Sequence, residues 1–240
     1  MSGFDFTQGE ILAIDKPFRW TSFDAVNHLK VFLKYQLKQK IKIGHAGTLD
    51  PLATGLLLIC IGRMTKQIDA LQALEKEYTG TFRLGETTPS FDLETDVDGT
   101  FPIDHITEEM IHSATLQFIG DIEQEPPIYS AKKIDGKRAY DYARAGQEVV
   151  MKKKPVTIHS FTIEKIELPT VYFRVVCSKG TYIRSLARDY GVALQSGAYM
   201  SSLKRTRIGD FKIEEAMTPD EVRYHLEQIF QTEKNDEAGS

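Results

Sequence analysis

"GHAGTLDPLATGLLLICIGRMTK", Gly44 to Lys66, sets one carboxylate, Asp50, among small and turn-forming residues beside a single histidine, His45, and then runs into the apolar stretch Leu56 to Ile61. That stretch falls far short of the roughly 20 residues needed to span a bilayer, so no membrane role is implied. The loop itself admits two readings. Asp50 can cap the turn before the apolar run by accepting a backbone N–H. It can equally serve as nucleophile, general base or electrostatic partner of a cationic transition state, and glycosidic carbons make particular use of the first and third. Gly44, Gly47 and Gly55 would let the backbone of a bulky substrate approach closely. The residues of the loop leave the two readings level.

Upstream, "ILAIDKPFRWTSFDAVNHLKVFL" predicts a short strand, a turn at Pro17, and a helix capped by Thr21 or Ser22 with Phe23, Val26, Leu29 and Phe32 on one face. Downstream, "EYTGTFRLG" alternates with the period of a half-buried strand, placing Tyr78, Gly80, Phe82 and Leu84 on one side. "ETDVDGTF" nearly matches a calcium loop, but Glu94 stands where Asp is wanted and His105 where the bidentate Glu is wanted, so Asp98-Gly99 reads as a turn. A helix over about 107–118 comes next. "TIHSFTIEKIEL" and "VYFRVVCSKGTYI" read as two strands with a turn near Pro169. From Tyr182 the pattern is helical, with Ile183, Leu186 and Ala187 on one face and Arg184 elsewhere. Strands and helices alternate irregularly, which favours an α+β fold over a doubly wound parallel sheet.

The chain has 240 residues, 41% of them hydrophobic, and a formal net charge of -4. That is enough for one substantial core. Cys60 and Cys177 form no C-x-x-C pair, and the N-terminus shows no apolar signal segment, so a reducing, cytoplasmic setting is expected. Between Gln124 and Lys154, eight basic residues face four acidic ones, a local surplus of +4 that leaves -8 for the rest of a chain whose total is -4. Tyr129, Tyr140 and Tyr142 are interleaved with those cations, a combination suited to unpaired or looped RNA. A solvated amphipathic helix accounts for the same composition.

No G-x-S-x-G elbow, G-x-x-x-x-G-K-[ST] loop or G-x-G-x-x-G fingerprint occurs. The six histidines, His28, His45, His105, His112, His159 and His225, lack H-E-x-x-H or Cys/His spacing, so no metal site is expected.

Six motifs now point the same way. "GHAGTLDPLATGLLLICIGRMTK" resembles the signature of the TruB-type tRNA pseudouridine synthases. "DKPFRWTS" resembles that family's D-K-P-x-G-x-T-S element and "YTGTFRLGETT" its Y-x-x-x-x-R-L-G strand. "PPIYSAKKIDGKRAYDYAR" resembles its thumb segment, and "CSKGTYIRSLARDYG" and "LKRTRIGDF" match two further elements. In the family's order, they cover the chain from about Asp15 to about Phe211.

The resemblance implies a pseudouridine synthase fold: a central, largely antiparallel mixed sheet flanked by helices, with a basic thumb inserted at about 124–155. It implies isomerisation of the T-arm uridine at tRNA position 55 to pseudouridine, with no cofactor, metal or guide RNA. Asp50 matches the catalytic carboxylate and Arg184 its cationic partner. Tyr78 matches the tyrosine packed on the flipped base, Tyr182 and Leu203 match residues lining the uracil pocket, and His45 matches the histidine that fills the space the base leaves. Lys132, Lys133, Lys137, Arg138 and Arg144 become thumb contacts to RNA phosphates.

The expected organisation is a catalytic domain over 1–232 and a disordered tail over 233–240, with a C-terminal helix near Asp220 to Phe230 and no appended PUA domain; a monomer is the expected state. Arg19 stands where the family pattern has glycine, so the turn after Pro17 is expected to take another conformation or to be stabilised otherwise. Two competing readings are an RNA-binding module without activity, against which Asp50, Tyr78 and Arg184 argue, and a sibling synthase acting on another RNA.

Overall fold

The computed structural model describes residues 9–38, 40–129 and 151–238, with 133–134 and 137–138 between them. In chain order the elements are β1 (Ile11–Lys16), α1 (Ser22–Leu37), β2 (Ile43–His45), β3 (Thr54–Ile61), a 3₁₀ turn (Gly62–Gln67), α2 (Ile68–Ala73), β4 (Lys76–Leu84), β5 (Glu86–Thr87), β6 (Gly99–Thr100), α3 (Glu108–Leu116) and β7 (Gly120–Gln124). They continue with β8 (Lys133–Ile134), β9 (Lys137–Arg138), β10 (Lys154–Glu167), β11 (Thr170–Cys177), α4 (Ile183–Ala193), β12 (Ala198–Ile208), β13 (Phe211–Lys212) and α5 (Pro219–Ala238). Two compact units are formed, one from Met1–Lys76 with Lys204–Ser240 and one from Glu77–Leu203.

In the first unit the strand order is β1–β3–β12. β1 lies antiparallel to β3, from Ile11 opposite Cys60 to Lys16 opposite Gly55, whereas β12 meets β3 in parallel at Lys204–Thr54 and Arg205–Gly55. The apolar run Leu56 to Ile61 is therefore a strand buried on both faces, the setting in which strands lose polar alternation. Leu57, Ile59 and Ile61 pack with Leu29 and Leu33 of α1 and Val222 and Leu226 of α5. Leu56, Leu58 and Cys60 pack with Leu71 and Ile208.

Thr21 is the N-cap of α1 and forms a reciprocal capping box with Asp24. The face that α1 buries is Ser22, Ala25, Val26, Leu29, Phe32 and Leu33, and Phe23 is 67% exposed. One residue advances a helix by about 100°, which carries Phe23 off the face that Ser22 and Val26 define. α5 extends beyond the expected Asp220–Phe230 into residues read as a tail. The Glu, Lys and Ala of "TEKNDEA" are good helix formers, which outweighs their polarity.

In the second unit the order is β12–β4–β11–β10–β7, with β10 antiparallel to both β11 and β7. Phe82 stacks on Phe173 at 4.1 Å between ring centroids, and Phe161 and Tyr190 complete an aromatic core. The expected alternation on β4 holds for Phe82 and Leu84, both buried. Asp98-Gly99 is not a turn: Gly99 opens β6 opposite Thr87, and the bend falls at 91–95, where the Asp92 carboxylate accepts the N–H of Glu94. The whole is the expected α+β fold, with antiparallel pairs, a parallel contact between β3 and β12, and flanking helices.

Of the basic segment, Lys132, Arg144, Tyr140 and Tyr142 lie outside the described residues. Lys133, Lys137 and Arg138 sit on the antiparallel pair β8–β9, Lys133 opposite Arg138. Among the described residues no helix is long and apolar enough to cross a membrane.

Candidate active site

The loop that carries Asp50 is held by its backbone from two distant segments of the first unit. The N–H of Arg19 donates to the carbonyl of Pro51 at 2.8 Å. Ser22, 2% exposed, accepts from the N–H of Leu49 at 2.8 Å and donates to its carbonyl at 3.1 Å. One hydroxyl thus satisfies both polar backbone groups of the residue before Asp50, in a place where leaving them unmatched would be costly.

From β12 comes the second clamp. Arg205, 1% exposed, donates from Nε to the carbonyl of Leu56 at 2.7 Å and from its terminal nitrogens to those of Gly47 at 3.2 Å and Thr48 at 3.4 Å. The planar guanidinium fork suits several carbonyls at fixed angles. Gly55 makes this possible, because a Cβ there would stand 2.3 Å from the carbonyl oxygen of Arg205. Its lack of a side chain serves the approach of β12, not that of a substrate. Gly44 is likewise closed over by Ile68, whose Cδ1 would lie 3.0 Å from a Cβ.

The hydrogen bond that closes the turn after Asp50 runs from the N–H of Ala53 to the main-chain carbonyl of Asp50, and the turn leads into a strand rather than a helix. Arg19 adopts φ 67, the left-handed region that glycine favours, so the turn after Pro17 has a glycine-like conformation despite the substitution.

Behind the loop stands Lys16, fully buried at the end of β1, with Nζ donating to the carbonyls of Pro17 at 3.0 Å and Trp20 at 2.6 Å. Burial pushes its amine down to about 8; the Asp50 carboxylate opposes that shift and the Arg205 charge adds to it. His45, half-buried at the end of β2, is also held below the ordinary imidazole range, first by burial and then by the charge of Arg205. It is therefore a neutral ring at neutral pH.

In the second unit, Tyr182 is the N-cap of α4, and Gln124 of β7 clamps its backbone, accepting its N–H at 2.7 Å and donating to its carbonyl at 3.1 Å. Arg184 in the first turn is 4% exposed. It donates to the carbonyl of Tyr129 at 2.9 Å and lies 3.6 Å from the carboxylate of Asp92, itself 3% exposed. A buried cation needs such partners. Tyr78 is half-buried on β4, and Leu203 is buried on β12.

Lys16, Asp92 and Arg205 were not singled out from the sequence, and Ser22 only as a candidate helix cap. For two of them a signal existed: Leu12, Ile14 and Lys16 alternate inward along β1, and Leu203 and Arg205 do so along β12, so each strand sets a cation at an inward position.

The chain resembles the solved structure of a Cbf5–Nop10–Gar1 complex, with a TM-score of 0.65 and 31% identity, over 88% of this chain and 52% of that one. It also resembles an H/ACA ribonucleoprotein bound to a substrate RNA containing 2'-deoxyuridine, with a TM-score of 0.67 and 27% identity, over 96% of this chain and 56% of that one. The chain spans about half the length of these solved chains.

Two family models match in succession: the TruB family pseudouridylate synthase N-terminal domain over residues 34–183 and the tRNA pseudouridylate synthase B C-terminal domain over 184–238. The class is therefore that of the pseudouridylate synthases. Among similar curated proteins are the tRNA pseudouridine synthase B of Flavobacterium johnsoniae, 56% identical over 90% of this chain and 96% of that protein, and that of Parabacteroides distasonis, 53% identical over 93% and 96%. The chain belongs to the TruB family.

Proposed function

We propose that the protein converts the uridine at position 55, in the T-arm loop of tRNA, to pseudouridine, with Asp50 as the catalytic carboxylate. The observation that carries this reading is the loop of Asp50, held by Ser22, Arg19 and Arg205, in a chain 56% identical to a tRNA pseudouridine synthase B across 96% of that protein. In the reaction the bond from the ribose C1' to N1 breaks, the uracil turns in place, and C1' bonds to C5. The hydrogen on C5 leaves as a proton and N1 gains one, so atoms and electrons balance without an oxidant or reductant. A single carboxylate suffices because the base is reattached rather than released to water.

In this scheme Arg184 is the cation that pairs with Asp50 and orients it. Tyr78, Tyr182 and Leu203 wall the uracil, and neutral His45 fills the space it leaves, offsetting an unstacking cost of a few kcal/mol. Lys132, Lys133, Lys137, Arg138 and Arg144 of the thumb contact phosphates. The enzyme acts as a cytoplasmic monomer without a guide RNA, a reading favoured over a guide-dependent one by the higher identity to the tRNA enzymes, 56% against 31%.

The test is release of tritium from tRNA carrying 5-tritiated uridine. The wild type releases it and Asp50→Asn releases essentially none. Wild type that binds tRNA but releases nothing defeats the catalytic reading, and sequencing the modified position decides between position 55 and another uridine.

A further inference from the structure

The thumb is not the only basic part of this chain. From Lys30 to Lys66 there are seven cations, Lys30, Lys34, Lys38, Lys40, Lys42, Arg63 and Lys66, and a single acid, Asp50, a surplus of +6. Since the whole chain carries -4 and the thumb +4, everything else carries -14. The positive charge is thus not confined to the thumb; residues 179–212 also carry a surplus, with seven cations against Asp189 and Asp210.

All seven cations are exposed, and the fold of the first unit gathers several of them. Lys34 lies in the last turn of α1 and Lys38 is its C-cap, so the two stand at one end of that helix. The chain then passes through Lys40 and Lys42 into β2. The N–H of Gly62 donates to the carbonyl of Lys42 at 2.8 Å, which brings Lys42 beside Arg63 at the start of the 3₁₀ turn. Tyr35, 80% exposed, lies between Lys34 and Lys38 in the chain. Among the described residues, none of the seven cations is in an ion pair with a carboxylate. Like charges left together repel one another, and a polyanion relieves that repulsion. β2 itself ends at His45, only three residues from Lys42, or about 10 Å along a strand.

We infer that the end of α1, Lys40 and Lys42 before β2, and the start of the 3₁₀ turn form a second RNA surface, which takes the phosphate backbone flanking the loop that His45 meets. The inference rests on the proposed substrate, and it adds a contact region separate from the thumb. Its contacts are to phosphates, so they position the RNA without reading its sequence.

The experiment measures binding of full-length tRNA transcript across a range of salt concentrations. It compares the wild type with Lys40→Ala/Lys42→Ala and with a control of equal charge, Lys165→Ala/Lys212→Ala, taken from exposed positions elsewhere. Loss of two phosphate contacts lowers the slope of log affinity against log salt by roughly 1.5 and weakens binding about tenfold or more at ~0.1 M salt. The control changes neither by more than about twofold. A patch variant that binds with the wild-type slope and affinity overturns the inference, and so does a control that loses as much as the patch variant. Tritium release by the wild type is read in parallel. Tight binding without release defeats the catalytic proposal while the slope still decides the surface, and a wild type that does not bind tRNA defeats both.

Discussion

Replacing Ser22 by alanine removes one oxygen from the protein and, by the geometry of the loop, two hydrogen bonds from Leu49. Leu49 is 3% exposed and Ser22 2%, so water does not take over from the hydroxyl. Each stranded backbone group costs about 1–3 kcal/mol. The lower half of that range, applied to both groups, gives a loss of about 2–4 kcal/mol. In a chain of 150–250 residues each kcal/mol moves Tm by roughly 2–4 °C, so Ser22→Ala should melt about 5–15 °C below the wild type. Asp50 directly succeeds Leu49 in the chain, so the loss of its anchor also reaches the Asp50 carboxylate. A displacement of about 1 Å can cost on the order of 100-fold in rate, and tritium release under single-turnover conditions should fall well below the wild-type rate at a temperature where both proteins are folded. Thr21→Ala, one residue earlier, separates the two effects. It removes the N-cap of the same helix at a cost of about 1 kcal/mol but touches no atom of the loop, so its single-turnover rate should stay near wild type. Ser22→Ala with a Tm within about 1 °C of wild type, or with an unaltered rate, would refute the claim that this hydroxyl anchors the loop.

The buried charges carry two further expected outcomes. Asp92→Asn keeps the shape but takes the anion from beside the buried Arg184 guanidinium, so urea unfolding should show a loss of about 3 kcal/mol with tritium release reduced; equal stability would mean that the Tyr129 and Ser90 carbonyls alone satisfy the cation. For His45, the folded protein holds the imidazole below its ordinary 6.5 by burial and by Arg205. The unfolded chain therefore takes up a proton first as pH falls, and this residue's contribution to stability is lost as pH drops below about 6.5. An NMR titration should find the His45 midpoint below 6.5 and higher in Arg205→Met, and a wild-type midpoint at or above 6.5 would be inconsistent with the buried ring.

What could be read in advance was what depends on near neighbours in the chain. The strand, turn and helix from Ile11 to Leu37, the alternation that buries Phe82 and Leu84, and the helix after Thr107 all come from local period and capping. Phe23 was misplaced because its spacing from Val26 fits a helical face whose centre lies elsewhere, at Ala25, Leu29 and Leu33. The clamps on the Asp50 loop were out of reach for a different reason. The bonds of Arg205 span 149 to 158 residues and that of Ser22 spans 27, and no local periodicity reports which carbonyls a distant side chain will meet. Arg184 was legible as a residue but not as a buried one, since its partner Asp92 lies in an irregular bend far upstream. The basic stretch from Lys30 to Lys66 is plain in the sequence, but a segment count centred on the thumb hides it inside a negative remainder.

The two-sided grip on the Asp50 loop has a consequence for protein engineering. Residues 44 to 55 are continuous in the chain, but their shape is specified by side chains and backbone from Arg19 and Ser22 on one side and Arg205 on the other. A graft that moves the twelve residues alone into a related scaffold would carry the carboxylate without its mould. The smallest portable piece is discontinuous: the loop, the Arg19 N–H, the Ser22 hydroxyl, and the stretch of β12 that carries Arg205 and that Gly55 lets in close.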